Sequence, residues 1–422
     1  MKLDRAAAAE STRTLRSSDE VEARIRAICF KTGPPTHVGA ELEFTLHHTA
    51  SPEAPLDTAA LRQALGRHMP ATLAPDQPHP PLPLPAGGSL TFEPGGQIEI
   101  SSAPAASPAA LHTAVSADLD HLSSLLAGAG LALGEHGIDP HRPPRRLLDT
   151  PRYVAMERAF DGHGPHGRTM MCSTAGLQVC LDAGPAGELA TRWAAVSALG
   201  PPLIALFANS SRHAGRESGL ASARMATWWG VDPRLSHPPV GPPDDPAAGW
   251  VRYALNAPVI CVRRAGGCWD PPSGLTLRDW VGGAISPRPT VDDLDYHLSL
   301  LFPPVRPRGY LEVRYLDTQP GPDWIVPTAV LTALLADLPS TEAALEVAAP
   351  VAARWVPAWQ RGLADRRLRR AATALAGLAN DRLDHTGLPP SVREHIADTV
   401  DRRLHAAHPH AAHPHAAHPG EQ

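Results

Sequence analysis

Lysine is almost absent from this 422-residue chain, which contains only Lys2 and Lys31. Positive charge is therefore carried by arginine, whose planar guanidinium suits phosphate and carboxylate groups. The Gly-Lys-Ser/Thr sequence of a phosphate-binding P-loop is also missing, which excludes that mode of nucleotide binding. The net charge of −5 and the scattered basic residues lack the footprint of a nucleic-acid-binding protein. We therefore expect small-molecule partners and no nucleic acid.

Continuous apolar runs and paired cysteine motifs are lacking as well. The first residues of the chain have no apolar core of the kind found in signal peptides. The best apolar run, residues 193–208, is broken by Gly200-Pro201-Pro202, which argues against a membrane span. The five cysteines form no CxxC motif, and their odd number favours reduced thiols over a disulfide framework. These features predict a cytoplasmic protein without membrane association.

An acidic hairpin is predicted from Gly88 to Ser102, where two strand-like segments flank the Pro-Gly-Gly sequence at residues 94–96. Glu93 lies just before this turn and Glu99 lies just after it. Because side chains alternate between the two faces of a strand, Glu99 shares a face with Gln97, while the neighbouring isoleucines take the other face. The polar face of the predicted hairpin is therefore acidic.

Three other stretches show the same alternation of polar and apolar side chains. Their polar faces carry Glu41 and Glu43 in residues 38–46, Gln178, Cys180 and Asp182 in residues 177–182, and Glu312 and Arg314 in residues 311–315. Alternation of this kind is typical of strands that bury one face against a core. We therefore predict an antiparallel sheet with one polar face.

Two interpretations of that polar face are open. It is either an ordinary solvated face or a site for a cation. A solvated face normally mixes charges, whereas these strands and their turn carry five glutamates and, apart from Arg314, almost no cations. Two carboxylates about 4 Å apart repel by roughly 4 kcal/mol at an effective dielectric constant near 20. Mg²⁺ favours carboxylates together with substrate phosphates, so the pattern favours a metal-nucleotide site.

Two further segments carry candidate ligand contacts. Arg224 and Trp228 are one helical turn apart in a predicted helix, so both can face one pocket, although a surface arginine stacked on tryptophan is the alternative. Residues 162–169, GHGPHGRT, are predicted to form a flexible loop whose glycines allow the backbone to approach a ligand.

Six motifs occur in order along the chain: VGAELEF, TFEPGGQIEISS, RTMMCSTAGLQVCLD, LFANSS, SARMATWW and LFPPVRPRGYLEVRYLD. Together, over roughly residues 30–340, they resemble the glutamate–cysteine ligases of the plant and actinobacterial type, most closely the branch that serves ergothioneine biosynthesis. The resemblance implies an α+β fold with a glutamine-synthetase-like antiparallel catalytic sheet, whose concave acidic face is flanked by helices. It also implies ATP, L-glutamate and L-cysteine as substrates, and Mg²⁺, or alternatively Mn²⁺, as the metal.

The resemblance also assigns roles to individual residues. As metal ligands it implies Glu41, Glu43, Glu93, Glu99 and Glu312. As substrate-binding residues it implies Gln97, Met171, Thr174, Gln178, Asn209, Arg224 and Trp228.

The implied chemistry agrees with the residues present. An unactivated carboxylate does not acylate an amine, so the γ-carboxylate of glutamate must first accept a phosphoryl group from ATP. Arg168 and Arg314 are the candidate clamps on that phosphoryl group. No enzyme nucleophile is required, and no persuasive Ser-His-Asp or Cys-His pattern is found. The alternatives are ligation to another amine, metal-dependent phosphate hydrolysis and a catalytically inactive binding protein.

Three regions are predicted along the chain. Residues 1–17 are expected to be a disordered leader, and residues 18–404 a single catalytic domain. Residues 405–422 repeat His-Ala-Ala-His-Pro, a low-complexity sequence that cannot form a core.

Overall fold

The computed structural model describes residues 10–73 and 79–406. Its strands are β1 (Val38–Phe44), β2 (Leu46–His48), β3 (Ser89–Phe92), β4 (Ile98–Ser101), β5 (Leu131–Leu133), β6 (Gly176–Leu181), β7 (Arg212–His213), β8 (Arg216–Glu217), β9 (Val305–Pro307) and β10 (Leu311–Asp317).

The α-helices are α1 (Ser18–Cys29), α2 (Thr58–Leu65), α3 (Pro108–Ala127), α4 (Pro151–Asp161), α5 (His166–Ser173), α6 (Leu189–Ala198), α7 (Gly200–Phe207), α8 (Ala223–Trp229), α9 (Pro233–Ser236), α10 (Pro246–Asn256), α11 (Leu277–Gly282), α12 (Val291–Leu298), α13 (Ile325–Leu334), α14 (Leu338–Ala348), α15 (Trp355–Arg361), α16 (Arg366–Asn380) and α17 (Pro390–Ala406). Short 3₁₀ helices lie at Gly66–His68, Gly321–Trp324, Ala349–Val351, Gly362–Ala364 and Leu383–Thr386.

A six-stranded sheet organises the molecule, with strand order β3-β4-β1-β6-β10-β9 and antiparallel pairing between all neighbours. The four stretches predicted from alternation are β4, β1, β6 and β10, and they lie side by side. The α+β class, with an antiparallel sheet flanked by helices, is therefore confirmed. The register of β10 against β6 shifts between Val313 and Leu316, which marks a bulge in the last strand.

The apolar face of the sheet forms a large core with one set of helices. Leu42, Ile100, Val179 and Val313 are buried there with side chains of α3, α6, α7 and the helices from α13 onward. This packing is possible because apolar and polar side chains alternate between the two faces of each strand, and because the helices present apolar stripes at helical spacing. The helices that follow Trp324 thus cover this face of the sheet.

A second core lies in the helices α1, α4, α5, α8, α10, α11 and α12. Trp250, which is fully buried, and Trp228 belong to it. Side chains from α4, α5 and α8 also line the polar face of the sheet, and they enclose a cavity there. The single-domain assignment of residues 18–404 stays a prediction.

The predicted leader is wrong for residues 10–17. Leu15 is fully buried, its backbone N–H donates to the Pro289 carbonyl, and the Val291 N–H donates to the Arg13 carbonyl. Residues 1–9 lie outside the described residues. So does most of the repeat tail, because the description ends in helix α17 at Ala406.

The predicted flexible loop at residues 162–169 is also wrong in its second half, where α5 begins at His166. Gly167 lies so close to the Phe160 ring that an added Cβ would come within 2.1 Å of the Phe160 Cβ. The glycine therefore permits helix–helix packing between α4 and α5, rather than approach to a ligand.

No single described helix combines the length and apolarity needed to cross a membrane. Two bent helix pairs, at 189–207 and 321–351, have the necessary length and composition only when the two helices of a pair are taken together.

Candidate active site

A cavity of about 370 Å³ lies on the polar face of the sheet. Its floor is formed by side chains of β1, β4, β6 and β10, and its walls by α4, α5, α8 and the segment after α12. The lining residues are Glu41, Glu43, Glu93, Pro94, Gln97, Glu99, Ser101, Arg152, Tyr153, Met156, Met170, Met171, Thr174, Gln178, Trp228, Ser299, Phe302, Arg306, Arg308 and Arg314.

Three glutamates form the acidic end of this cavity. One carboxylate oxygen from each of Glu43, Glu93 and Glu99 lies within 4.8 Å of the others. The strand register explains the first contact, because Glu43 pairs directly with Glu99 across β1 and β4. The tight turn after β3 brings in Glu93, helped by Gly96, whose φ of +89° favours glycine.

Protein donors hold two of the three carboxylates. Glu43 accepts hydrogen bonds from the Gly176 N–H at 2.7 Å and from Gln178 Nε2 at 2.8 Å. Glu99 accepts bonds from the hydroxyls of Thr91 and Ser101. Within residues 10–73 and 79–406, no donor is bonded to the Glu93 carboxylate. This carboxylate is therefore the one most available to a ligand.

The pKa values of the cavity glutamates are raised. Burial and the charges of Glu312 and Glu99 raise the pKa of Glu41 to about 7. Burial and the charges of Glu99 and Glu43 raise the pKa of Glu93 to about 8. Burial likewise raises the pKa of Glu43 and Glu99. The site disfavours this much negative charge in the absence of a cation.

A hard divalent cation fits this arrangement. The clustered donors are carboxylate oxygens, which are the ligands that Mg²⁺ prefers, and Mg²⁺ commonly binds through one or two carboxylates plus substrate phosphates. Glu43, Glu93 and Glu99 are the residues able to hold such an ion, and Glu41 lines the same cavity.

Four arginines line the same cavity and form what we call its basic end: Arg152, Arg306, Arg308 and Arg314. Arg314 Nη1 donates to Gln178 Oε1, and the same Gln178 donates to Glu43. Gln178 therefore connects an arginine of the cavity to one of its clustered glutamates. Arg152 is fixed by the hydroxyl and carbonyl of Ser299 at 3.0 and 3.2 Å. Arginines fixed in this way are suited to binding phosphate or carboxylate groups.

Glu312 differs from the other predicted metal ligands. It is fully buried, and its two oxygens accept hydrogen bonds from Arg306, Arg308 and Arg314 at 2.6 to 3.2 Å. Burial alone would raise the pKa of Glu312, but the three arginines outweigh it and hold the pKa well below its usual range. Contrary to the prediction, the structure does not bring Glu312 into the metal-binding group. Its carboxylate instead orients the three arginines that donate to it.

Arg224 does not reach the cavity, which corrects its predicted contact with substrate. Its side chain is 1% exposed, Nη2 donates to the Arg314 carbonyl at 2.9 Å, and Nη1 lies 3.9 Å from Asp317 Oδ1. The predicted helical pairing with Trp228 is present, and Trp228 does line the cavity. Arg224 and Arg314 each lie 5.2 Å from the Trp228 ring centre. Arg224 therefore supports the cavity wall from behind.

Asn209 and Arg168 are also outside the cavity. The Asn209 side chain donates to the carbonyls of Glu135 and Thr318, which ties loops together. Arg168 has a side chain 44% exposed and forms ion pairs with Asp161 at 2.6 Å and Glu157 at 3.4 Å. It points away because α5 turns the buried residues Met170 and Met171 inward.

The remaining predicted substrate-binding residues do line the cavity. Gln97 has a bracing function, since its Nε2 donates to the carbonyls of Met171 and Thr174 and its Oε1 accepts the Gly95 N–H. Trp228 Nε1 lies 3.5 Å from the Thr174 hydroxyl. Met171, Thr174 and Trp228 form one wall of the cavity, and these contacts hold that wall against the turn that carries Glu93.

Arg152, Arg306 and Arg308 were missed as site residues. Arg152 is the second residue of α4, and that position gave no indication of the direction of its side chain. Arg306 and Arg308 alternate with prolines just before β10 and lie two residues apart, which matches strand alternation. This two-residue spacing was the sequence feature that could have identified both arginines as cavity residues.

Without a divalent cation, we expect the protein to lose stability as pH rises from 6.5 to 8. A carboxyl whose folded pKa exceeds its unfolded value of 4.5 stabilises the fold when protonated, and this contribution is lost as pH rises through the folded pKa. Glu41 at about 7 and Glu93 at about 8 place the loss in that range. Burial lowers the pKa of His297 to about 4, so the effect of this histidine on stability is confined to pH values below 6.5.

The measurement is urea unfolding at pH 6.5 and pH 8 in the presence of a chelator. Glu93→Gln is expected to reduce the difference between the two pH values, and added Mg²⁺ is expected to stabilise the wild type more at pH 8 than at pH 6.5. A wild type that is equally stable at both pH values would contradict the raised pKa values.

The chain is similar to known proteins over most of its length. Residues 37–397 match the family model described as Glutamate-cysteine ligase family 2 (GCS2). The chain is 39% identical over 378 residues to the glutamate–cysteine ligase EgtA of Mycolicibacterium smegmatis, covering 87% of this chain and 85% of that protein. It is 41% identical over 333 residues to EgtA of Mycobacterium tuberculosis, covering 76% of each. A crystal structure of glutamate–cysteine ligase from Francisella tularensis in complex with AMP covers 90% of this chain and 83% of that chain, with 12% identity and a TM-score of 0.44.

Proposed function

The chain belongs to glutamate-cysteine ligase family 2, and from this premise we propose that it joins the γ-carboxylate of L-glutamate to the amine of L-cysteine. The reaction consumes ATP, releases ADP and phosphate, and supplies γ-glutamylcysteine for ergothioneine biosynthesis. The observation that carries the proposal is that clustered glutamates and fixed arginines line one cavity. A phosphoryl transfer between two anions needs both kinds of group.

Mg²⁺ is the metal that we propose for the acidic end, with Mn²⁺ as the alternative. Glu43, Glu93 and Glu99 would hold it, with Glu41 beside them. When bound, the ion neutralises phosphate charge and acts as a Lewis acid on a phosphoryl oxygen.

The arginines position and neutralise the anionic substrates. Arg314 is oriented by Gln178 and Glu312, so it can bind an oxyanion without reorganising during the reaction. Arg306 is oriented by Glu312 in the same way. Preorganisation matters here because the γ-carboxylate and the terminal phosphate repel each other until their charges are matched. Glu312 also accepts a hydrogen bond from Arg308, so this single glutamate fixes three of the four cavity arginines.

The apolar wall has a complementary role. Met171, Trp228 and Phe302 line the same cavity, and all three are buried. They exclude water from the space in which the activated γ-carboxylate forms. Exclusion of water favours attack by the cysteine amine over hydrolysis of the acyl phosphate.

The decisive test follows oxygen from glutamate into phosphate. With glutamate labelled by ¹⁸O in its γ-carboxylate, the released phosphate is expected to carry one labelled oxygen for each γ-glutamylcysteine formed. Phosphate without label, or release of AMP in place of ADP, would contradict activation as γ-glutamyl phosphate. Phosphate release that does not depend on glutamate and cysteine would indicate a hydrolase instead.

We also propose a cytoplasmic location. All five cysteines, Cys29, Cys172, Cys180, Cys261 and Cys268, are free thiols in the structure. Unpaired cysteines are typical of proteins in reducing compartments.

A further inference from the structure

A second cavity, which we call the rear cavity, lies at the other end of the strands that carry the acidic site. It has a volume of about 350 Å³ and is bounded by Val38 and Leu181, a register pair at the ends of β1 and β6. The N-terminus of α3, the C-terminal end of α13 and residues 382–386 complete its wall. None of the glutamates of the acidic site lines it.

Arg192 is the unusual residue of the rear cavity. Its side chain is 3% exposed, and Nη1 and Nη2 donate to the carbonyls of Leu335 at 2.9 Å and Asp182 at 3.3 Å. Its Nε has no partner among the described residues, and no described carboxylate oxygen lies within 4.0 Å of the guanidinium. A buried cation without an anionic partner is costly, so the site favours an anion.

A purely structural role explains only part of this arrangement. By binding two carbonyls, Arg192 links the end of α13 to the loop after β6. This linkage satisfies two of its N–H donors and leaves its charge uncompensated. Burial lowers the pKa of Arg192, and the more distant charges of Glu188 and Asp182 oppose that effect.

Two carboxylates, Asp182 and Asp337, also line the rear cavity, and each is already bound by backbone N–H groups. Asp182 Oδ2 already accepts the backbone N–H groups of Thr36 and His37 at 2.7 and 2.8 Å. Asp337 Oδ1 accepts the Ser340 N–H at the start of α14. Arg382 approaches Asp337 only to 3.9 Å, and its side chain is 39% exposed.

Two further features add hydrogen-bond donors or positive potential. Ser107 and Pro108, at the start of the 20-residue helix α3, line the rear cavity, and a helix N-terminus carries partial positive charge. The imidazoles of His37 and His385 also line it.

From this geometry we propose that the rear cavity binds a small oxyanion, a carboxylate or phosphate group of a compact metabolite, between Arg192 and Arg382. The volume is near the lower limit for ligand pockets, which restricts the ligand to a small molecule. Because β1 and β6 run from this cavity to Glu41 and Gln178, the bound anion lies at the far end of the strands that form the acidic site.

The test uses isothermal calorimetry of the full chain with sodium succinate and sodium phosphate, with sodium chloride at equal ionic strength as the reference. Arg382→Gln is expected to weaken binding about tenfold, because a charge-assisted hydrogen bond is lost. Arg308→Gln is the matched control, since it removes an arginine from the basic end of the first cavity and none from the rear cavity. Binding of succinate alone would identify a carboxylate ligand, and binding of phosphate alone would identify a phosphate ligand.

Hydrogen exchange shows where on the protein the anion binds. We expect the bound anion to slow exchange of the amides of residues 332–337, and we expect this protection to persist in Arg308→Gln. Arg192→Lys is a second variant, but Arg382→Gln carries the test because Arg382 is exposed and its replacement leaves the core intact. The proposal is overturned if neither anion binds beyond chloride, or if Arg308→Gln removes the binding while Arg382→Gln leaves it unchanged.

Discussion

Glu93→Gln is expected to reduce formation of γ-glutamylcysteine by on the order of 100-fold or more. The Glu93 carboxylate has no bonded protein donor in the described part of the chain and lies in the three-glutamate cluster. Stabilisation by a metal ion is worth several kcal/mol, and about 1.4 kcal/mol corresponds to a tenfold change in rate. The amide retains the shape of the side chain but loses the charge that binds the cation.

The measurement is ADP release at saturating glutamate, cysteine and ATP over a range of Mg²⁺ concentrations. Glu342→Gln, on the exposed side of α14, is the matched control and should behave as the wild type. Thermal unfolding should show that Glu93→Gln is folded, since removing one of several repelling carboxylates relieves repulsion. Equal activity of the two variants would remove Glu93 from the proposed metal site.

Arg314→Lys is expected to lower kcat/KM by about 10² to 10³, the range found when a preorganised charge-stabilising donor is removed. The guanidinium of Arg314 is 5.2 Å from the Trp228 ring centre and is oriented by Gln178 and Glu312. An ammonium group keeps the positive charge but cannot reproduce the planar, forked geometry. The loss therefore measures orientation rather than charge.

Arg168→Lys is the matched control for this prediction and tests the corrected assignment of Arg168. The ion pair with Asp161 is exposed on both sides, the pair with Glu157 is exposed on the arginine side, and pairs at the surface contribute about 0–1 kcal/mol. We therefore expect little change in kcat, KM or melting temperature. If Arg168→Lys lost as much activity as Arg314→Lys, the original assignment of Arg168 as a phosphoryl clamp would have to be restored.

Local rules determined the acidic half of the candidate site. The positions of Glu41, Glu43 and Glu99 on one face follow from strand alternation, which depends only on backbone geometry within each strand. The Pro-Gly-Gly sequence likewise indicates the turn that presents Glu93. The sequence could not give the register between strands, and it is the register that pairs Glu43 with Glu99 and places Gln178 beside Glu41.

The basic half was decided by tertiary packing. Arg152 and Arg168 both lie in helices next to the cavity, yet only Arg152 faces it, because α5 buries its methionines on the side towards the sheet. Helical periodicity gives the relative directions of side chains on one helix, but not how that helix is rotated against its neighbours.

Arg224 and Asn209 illustrate the same limit. Both belong to recognisable motifs, but Asp317, about 90 to 110 residues away in the chain, draws them into the interior through bonds to Asn209 N–H, Ser210 and Ser222. The sequence by itself determined the family and the acidic strands, and it predicted a cation beside them. Only the tertiary structure decided which arginines share a cavity with those acids, because that depends on contacts between residues that are distant in the chain.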